Sequence, residues 1–103
     1  MNSYNKYTDL QINELVATRL KKKCLLTEES VLAYMDSGYR TFDPCNNPTD
    51  AMPIIIENEI SMIKSSGGWM CCHGSVGNVE HESLYRGAME LFLLIKDAEN
   101  EKV

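Results

Sequence analysis

Residues 84–98 carry an apolar stripe that is too broad for a helix with a single buried face. The stripe consists of Leu84, Ala88, Leu91, Phe92 and Ile95 at helical spacing, widened by Met89 and Leu93. This pattern predicts a helix over residues 84–98, with Ser83 as its N-cap. So wide an apolar surface must be covered on more than one side. The rest of the chain, or a second subunit, therefore has to supply several packing partners.

A second helix is predicted near the start of the chain, over residues 9–22. Thr8 and Gln11 have the spacing of a capping box, in which each side chain bonds the other residue's backbone amide. Tyr7 and Ile12 occupy the two positions of a hydrophobic staple. An apolar stripe then follows at helical spacing, made of Ile12, Leu15, Val16 and Leu20.

Two hairpins are predicted in the middle of the chain. Residues 31–35 and 39–42 flank a turn with Asp, Ser and Gly, and residues 59–63 and 69–72 flank a Ser-Ser-Gly-Gly turn. Residues 27–30 leave an alternative open, because Thr27 and the glutamates after it could cap a short helix instead of preceding a strand.

A polar run over residues 43–50 separates the hairpins and leads into a short helix over residues 51–57. Pro53 lacks a backbone N–H, so this helix either begins near Asp50 or is kinked at the proline. Residues 73–82 are polar and contain glycine, which favours a loop. The charged tail from Glu99 is expected to fray.

These elements predict an α+β fold and a single domain over residues 1–103. Its architecture is a small antiparallel sheet of two hairpins, packed by an N-terminal, a short middle and a C-terminal helix. A length of 103 residues supports one hydrophobic core.

The charge balance argues against a nucleic-acid binder. The chain has ten basic and fifteen acidic side chains and a net charge of −5. Its basic cluster is Lys21, Lys22 and Lys23, with Arg19 before it, and basic residues there also complement the dipole at a helix C-terminus. The polar start of the chain lacks the apolar region of a signal peptide, and no apolar run has the length of a membrane span. We therefore expect a cytoplasmic protein with neither a membrane nor a nucleic acid as partner.

The residue types of catalytic and metal sites are present without the spacing that such sites need. The four cysteines, Cys24, Cys45, Cys71 and Cys72, are expected to be reduced in a cytoplasmic protein. Adjacent Cys71 and Cys72 followed by His73, with His81 further on, do not match the ligand spacing of a zinc site. No motif places a histidine beside a nucleophile. The sequence thus predicts no metal, no cofactor and no catalytic residues, and it favours a binding protein over an enzyme.

The segment from Phe42 to Asn58, FDPCNNPTDAMPIIIEN, resembles the NinX-like proteins of tailed bacteriophages, a family of small uncharacterised proteins. Three further features fit this resemblance: the run DLQIN at residues 9–13, the lone Trp69, and the run RGAM at residues 86–89. Met52 departs from the pattern, which has Trp at that position. The resemblance implies a phage accessory protein made in the cytoplasm of a bacterial host, either during infection or from a prophage. It implies no activity.

A ligand site is predicted at the polar run over residues 43–50, with Trp69 and Arg86 as its expected neighbours in space. Its candidate residues are Asp43, Asn46, Asn47, Asp50, Trp69 and Arg86. Polar groups at a helix start favour anions, an aromatic ring stacks on a base, and an arginine grips a phosphate. The alternative is structural: the polar run builds a turn and caps a helix, Trp69 is core, and Arg86 pairs with a carboxylate.

Three functions are compatible with these features. The first is a protein that sequesters a nucleotide immune signal in a pocket at a subunit interface. The second is an inhibitor that binds a host protein directly, and the third is a small phage-encoded enzyme. The broad stripe of the last helix predicts a homo-oligomer. If Arg86 binds a ligand, Arg86→Ala should abolish binding and leave the melting temperature nearly unchanged.

Overall fold

Three α-helices and six strands make up the fold in the computed structural model, which describes residues 2–101. In chain order the elements are a 3₁₀ helix (Ser3–Lys6), α1 (Asp9–Arg19), β1 (Cys24–Leu26), β2 (Val31–Met35), β3 (Gly38–Thr41), α2 (Pro48–Glu57), β4 (Ser61–Ser65), β5 (Gly68–His73), β6 (Gly77–His81) and α3 (Leu84–Glu101).

The strands form two antiparallel sheets, an N-terminal sheet in the order β1-β2-β3 and a C-terminal sheet in the order β4-β5-β6. The predicted α+β class is confirmed, and each predicted hairpin lies in one of the sheets, as β2-β3 and as β4-β5. The two-residue loops are Asp36-Ser37 and Ser66-Gly67, since Met35 pairs with Gly38 and Ser65 with Gly68.

Each sheet has a third strand that the sequence analysis missed. The predicted loop over residues 73–82 is wrong, because Gly77–His81 forms β6 and pairs along β5. Val79 is the one buried residue of this strand, so the sequence lacks the alternating apolar pattern that would predict a strand. β1 has only three residues and pairs with β2. Residues 31–35 form β2, which excludes the alternative of a short helix capped at Thr27 that runs through Val31 and Tyr34.

The start of α1 is the predicted one. The Thr8 hydroxyl accepts a hydrogen bond from the Gln11 backbone N–H at 3.1 Å, and the Gln11 side chain accepts one from the Thr8 N–H at 2.8 Å. The capping box is therefore complete, and it satisfies two amides that would otherwise lack partners at the helix start.

The end of α1 comes at Arg19, three residues before the predicted end. Lys21 has a φ of 58°, in the left-handed region that usually favours glycine. Its N–H donates to the Thr18 carbonyl and the Lys22 N–H donates to the Ala17 carbonyl, each at 3.0 Å. This is a Schellman motif without its glycine, so the sequence offers no sign of the stop.

α2 begins at Pro48, two residues before the predicted start near Asp50. The Asn47 side chain caps it by accepting the Thr49 N–H at 2.9 Å, and Pro48 fills the first turn, where a missing N–H costs nothing. The helix continues through Pro53 to Glu57. Pro53 therefore lies inside the helix, beyond its first turn.

α3 is the centre of the molecule and packs against α1, α2 and strands β5 and β6. Its buried apolar side chains are Ala88, Met89, Leu91, Phe92, Leu93 and Ile95. The breadth of the stripe is therefore accounted for within one chain, which removes the observation on which the predicted homo-oligomer depended. The helix extends to Glu101, beyond the predicted end at residue 98. The last part of the predicted frayed tail, residues 102 and 103, lies outside the described residues.

The Cα radius of gyration is 13.3 Å, close to the roughly 13 Å of a compact chain of 100 residues. No helix formed by residues 2–101 is long and apolar enough to cross a membrane.

Candidate functional site

The polar run over residues 43–50 is held together by its own hydrogen bonds. The Asp43 N–H donates to Asp50 Oδ2 at 2.9 Å, and Asn46 Nδ2 donates to Asp43 Oδ1 at 3.2 Å. Asn47 caps α2 and Asp50 is buried. These contacts build the turn and the helix start, which is the structural alternative that the sequence left open.

Asn13 of α1 anchors this run and was missed by the sequence analysis. Its Nδ2 donates to Asp43 Oδ1 at 2.8 Å, and its Oδ1 accepts the Cys45 N–H at 3.1 Å. Asn13 is buried, and a buried amide is stable only when its polar atoms are bonded. In the sequence, the position of Asn13 next to Ile12 of the apolar stripe was the feature that could have predicted its burial.

Arg86 lies in α3 and is only 6% exposed. Its Nε donates to Glu90 Oε2 at 2.6 Å and its Nη1 donates to Asp9 Oδ1 at 2.7 Å. Nη2 donates to the carbonyls of Tyr4 at 3.0 Å and Tyr7 at 2.6 Å. Four of the five guanidinium N–H groups are thus used within the chain. Burial alone would lower the pKa of Arg86, but the hydrogen bonds to Asp9 and Glu90 outweigh it and raise the pKa.

Glu90 is fully buried and completes this network, although the sequence analysis did not single it out. Besides Arg86 it accepts a hydrogen bond from Asn2 Nδ2 at 2.6 Å, and His81 Nε2 lies 3.9 Å from its Oε2. The signal in the sequence was a glutamate four residues after an arginine, inside an otherwise apolar helix face. The two charges compensate each other, so neither is buried unpaired.

Asp9 joins Arg86 to the polar run. Its Oδ1 pairs with Arg86, and its Oδ2 accepts from Asn46 Nδ2 at 3.2 Å. The predicted proximity of Arg86 to this run is therefore real, and it is mediated by the first residue of α1.

Trp69 is not part of that network. It lies on β5, where its strand partners are Lys64 and His81, and the Lys64 ammonium sits 5.6 Å from the centre of its ring. The indole is half-buried and borders a separate cavity of about 210 Å³. Within residues 2–101 of one chain, Trp69 and Arg86 do not share a cavity, and the predicted pocket at a subunit interface stays a prediction.

The electrostatics around the polar run disfavour an anion. The cavity beside it, about 170 Å³, is lined by the carboxylates of Asp9, Glu29 and Asp43 and by no basic side chain. A phosphate there would meet like charges, whereas the guanidinium of Arg86 is already engaged. Ligand binding by the six predicted residues stays a prediction, and this geometry gives it no support.

The thiols and histidines show no activated nucleophile among residues 2–101. Burial raises the pKa of Cys45, and burial with the neighbouring Cys72 and Glu90 raises the pKa of Cys71 to about 11. His73 Nδ1 lies 2.8 Å from Ser75 Oγ, but both belong to one exposed turn and the described residues place no carboxylate on the other ring nitrogen. In the same part of the chain, no group of three or more His, Cys, Asp or Glu side chains could hold a metal ion.

A second candidate surface is the solvent-facing side of the N-terminal sheet, which we call the outer face. Strand register places two rows of side chains on it, Lys23, Tyr34 and Tyr39 in one and Leu25, Leu32 and Thr41 in the other. Leu25 is 51% exposed, Tyr34 47% and Tyr39 39%. The two tyrosine rings form an edge-to-face pair with centres 5.3 Å apart, and Lys23 Nζ lies 5.9 Å from the Tyr34 ring.

No protein-family model and no curated protein sequence matches this chain.

Proposed function

We propose that this chain is a binding protein whose contact surface is the outer face of the N-terminal sheet. The observation that carries the proposal is the exposed Tyr34–Tyr39 pair beside Leu25. In the setting that the NinX-like resemblance implies, it is a phage accessory protein that binds and inhibits a host protein in the bacterial cytoplasm.

The outer face has the composition of a protein contact site. Tyrosines supply large, rigid and amphipathic area, and they are enriched among the residues that contribute most to interface affinity. A solvated antiparallel sheet usually alternates apolar residues inward with polar residues outward. In β2 both kinds of position are apolar, because Val31 and Ala33 are buried on the inner side while Leu32 and Tyr34 lie on the outer side.

The basic side chain on this face is Lys23, which lies in the same row as Tyr34 and Tyr39. Among the other basic side chains of residues 19–41, Arg19 pairs with Asp97, and Lys22 and Arg40 line the cavity on the inner side of the sheet. Lys21 and Lys23 are exposed at the edge of the face. At physiological ionic strength charges act over roughly 8 Å, so the local basic residues determine which surface can dock. An apolar partner surface with an acidic rim fits this arrangement.

Sequestration of a nucleotide at Arg86 is the weaker proposal, because the guanidinium is buried and its donors are engaged. The proposal of an enzyme has even less support, because the described residues contain no activated nucleophile. A homo-oligomer formed through the outer face is a further alternative. Affinity capture separates it from a host partner.

The test is affinity capture from nuclease-treated bacterial extract with the parent chain and two double variants. Tyr34→Ser with Tyr39→Ser removes the aromatic pair of the outer face. Ile56→Ser with Ile63→Ser removes similar exposed apolar area elsewhere, since these residues are 68% and 50% exposed. Both variants alter surface residues, so both should stay folded.

We expect a host protein that the parent and the isoleucine variant retain and that the tyrosine variant loses, with retention falling as salt rises. Equal retention by the tyrosine variant would refute the outer face as the contact surface. Recovery of no protein other than this chain would refute a host protein as the partner.

A further inference from the structure

We propose that a cleft between α2 and the inner side of the N-terminal sheet binds a small amphipathic anion, a carboxylate or phosphate monoester attached to an apolar body. This α2 cleft has a volume of about 440 Å³, within the usual range of ligand pockets. Its principal lining residues are Lys22, Met35, Arg40, Phe42, Pro53 and Ile54. The inference does not depend on the proposed function.

The fold creates the α2 cleft because the N-terminal sheet and α2 are joined through the rigid polar run and barely touch each other. α2 packs mainly on α3, while the sheet packs on α1 through β2. The space between them is lined by Phe42, the residue after β3, and by Ile54 of α2. Both are buried core residues, so the floor of the cleft is apolar.

Two cationic side chains line the cleft without a carboxylate partner among residues 2–101. Lys22 Nζ lies 5.6 Å from the centre of the Phe42 ring. The Nε of Arg40 contacts the Met35 sulfur at 3.0 Å, and no ion pair of the described residues involves either cation. A guanidinium and an ammonium beside apolar surface are suited to an anionic head group whose body is apolar.

The acidic residues of the cleft limit the charge of its ligand. Asp50 is buried and its Oδ2 accepts the Asp43 N–H, so it is part of the wall. Glu57 is exposed on α2 and lines the same cleft. With the two carboxylates of Asp50 and Glu57 and two cations among its lining residues, the cleft favours a ligand with one or two negative charges over a polyphosphate.

The α2 cleft and the outer face lie on opposite sides of the N-terminal sheet. Arg40 pairs with the buried Ala33 in the strand register, which places it on the inner side, whereas its neighbours Tyr39 and Thr41 lie on the outer side. Variants of one surface therefore leave the other in place.

The test is a titration of the ¹⁵N-labelled chain with octanoate, octyl phosphate and octylamine, followed by amide chemical shifts. The three probes share an alkyl body and differ in the charged group. We expect saturable shifts centred on Arg40, Thr49 and Ile54 with at least one of the two anions and none with octylamine. The anion that binds more tightly, octanoate or octyl phosphate, identifies the head group that the cleft prefers.

Matched variants separate this site from general hydrophobic binding. Lys22→Gln with Arg40→Gln should raise the dissociation constant for the preferred anion at least tenfold, whereas Lys64→Gln with Lys96→Gln, neither of which lines the cleft, should leave it unchanged. Amide spectra confirm that each variant is folded. The proposal is overturned if neither anion gives saturable shifts at millimolar concentration, if octylamine binds equally well, or if the cleft variant binds like the parent.

Discussion

Arg86 donates a hydrogen bond from Nη1 to Asp9 Oδ1 at 2.7 Å, and thereby ties α3 to the first residue of α1 across 77 positions of the chain. The same guanidinium bonds Glu90 and two carbonyls of the N-terminal segment. It joins the elements around α3, which gives it a role in stability.

Replacing Arg86 by alanine should therefore destabilise the fold. The change leaves the fully buried Glu90 without its cation, which costs about 3–5 kcal/mol for a broken buried pair. This reverses the expectation from sequence that the melting temperature would be nearly unchanged. Urea unfolding measures the loss, with Arg19→Ala as the control. Arg19 pairs with Asp97 at a partly exposed position, so its removal should cost less than about 1 kcal/mol. An unaltered unfolding midpoint for the Arg86 variant would contradict the structural role.

Gly87 lies at a close approach between α3 and the C-terminal sheet, where a Cβ would be tightly packed. A Cβ at this position would lie 3.0 Å from His81 Cβ and 3.4 Å from Cys71 Sγ, because α3 packs closely on the C-terminal sheet there. Overpacking costs about 1–3 kcal/mol, and alanine regains about 1 kcal/mol of helix propensity inside α3, so Gly87→Ala should destabilise the chain by up to about 2 kcal/mol. Gly74→Ala is the matched control, since a Cβ at Gly74 meets nothing within 4 Å. Equal thermal stability of the two variants would show that the contact between α3 and the sheet is looser than described.

Lys21→Gly should stabilise the chain. Lys21 holds a left-handed conformation, with a φ of 58°, at the end of α1. Glycine adopts it without the steric cost of a Cβ, and after its larger loss of chain entropy the net gain is about 0.5–1 kcal/mol. Lys21→Ala removes the same charge but keeps the Cβ, so it should give no such gain. If alanine stabilised as much as glycine, the effect would arise from charge and not from backbone conformation.

The stability of the chain should fall in alkaline solution through Cys71. Its pKa is about 11 in the folded chain against 9.0 for an unperturbed thiol. Below pH 9 the thiol is neutral in both states. Between pH 9 and 11 the unfolded state loses the proton that the folded state retains, which favours unfolding by on the order of 2 kcal/mol. Urea unfolding from pH 8 to 11 should show a steeper decline for the parent than for Cys71→Ala. Parallel declines would mean that other groups carry the effect.

The parts of the fold that follow from local patterns were predictable. The capping box of α1, the glycine-containing hairpin turns and the apolar face of α3 each have a physical cause within a few residues. β1 and β6 were not predictable, because a three-residue strand and a strand with one buried residue are defined by pairing with their neighbours. The end of α1 was missed since its left-handed residue is a lysine.

The candidate site, like the fold, has some features that local sequence predicts and others that depend on long-range packing. Asn47 and Asp50 were recognised as cap and turn residues, and their structural role follows from sequence. The buried pair of Arg86 and Glu90 depends on Asp9 and the carbonyls of Tyr4 and Tyr7, which long-range packing brings together. The outer face was missed because its tyrosines occupy positions that a strand pattern assigns equally to either side. Only the register of three strands shows that they face solvent.

Site-specific photocrosslinking in bacterial cells tests most directly whether the outer face binds a host protein. Benzoylphenylalanine is placed at Tyr34 on the outer face or at Ile63, which is 50% exposed on β4. We predict a discrete crosslinked product with a second, different protein from position 34 and none from position 63. No product at position 34, the same product at both positions, or only a product of twice the mass of this chain would contradict the claim.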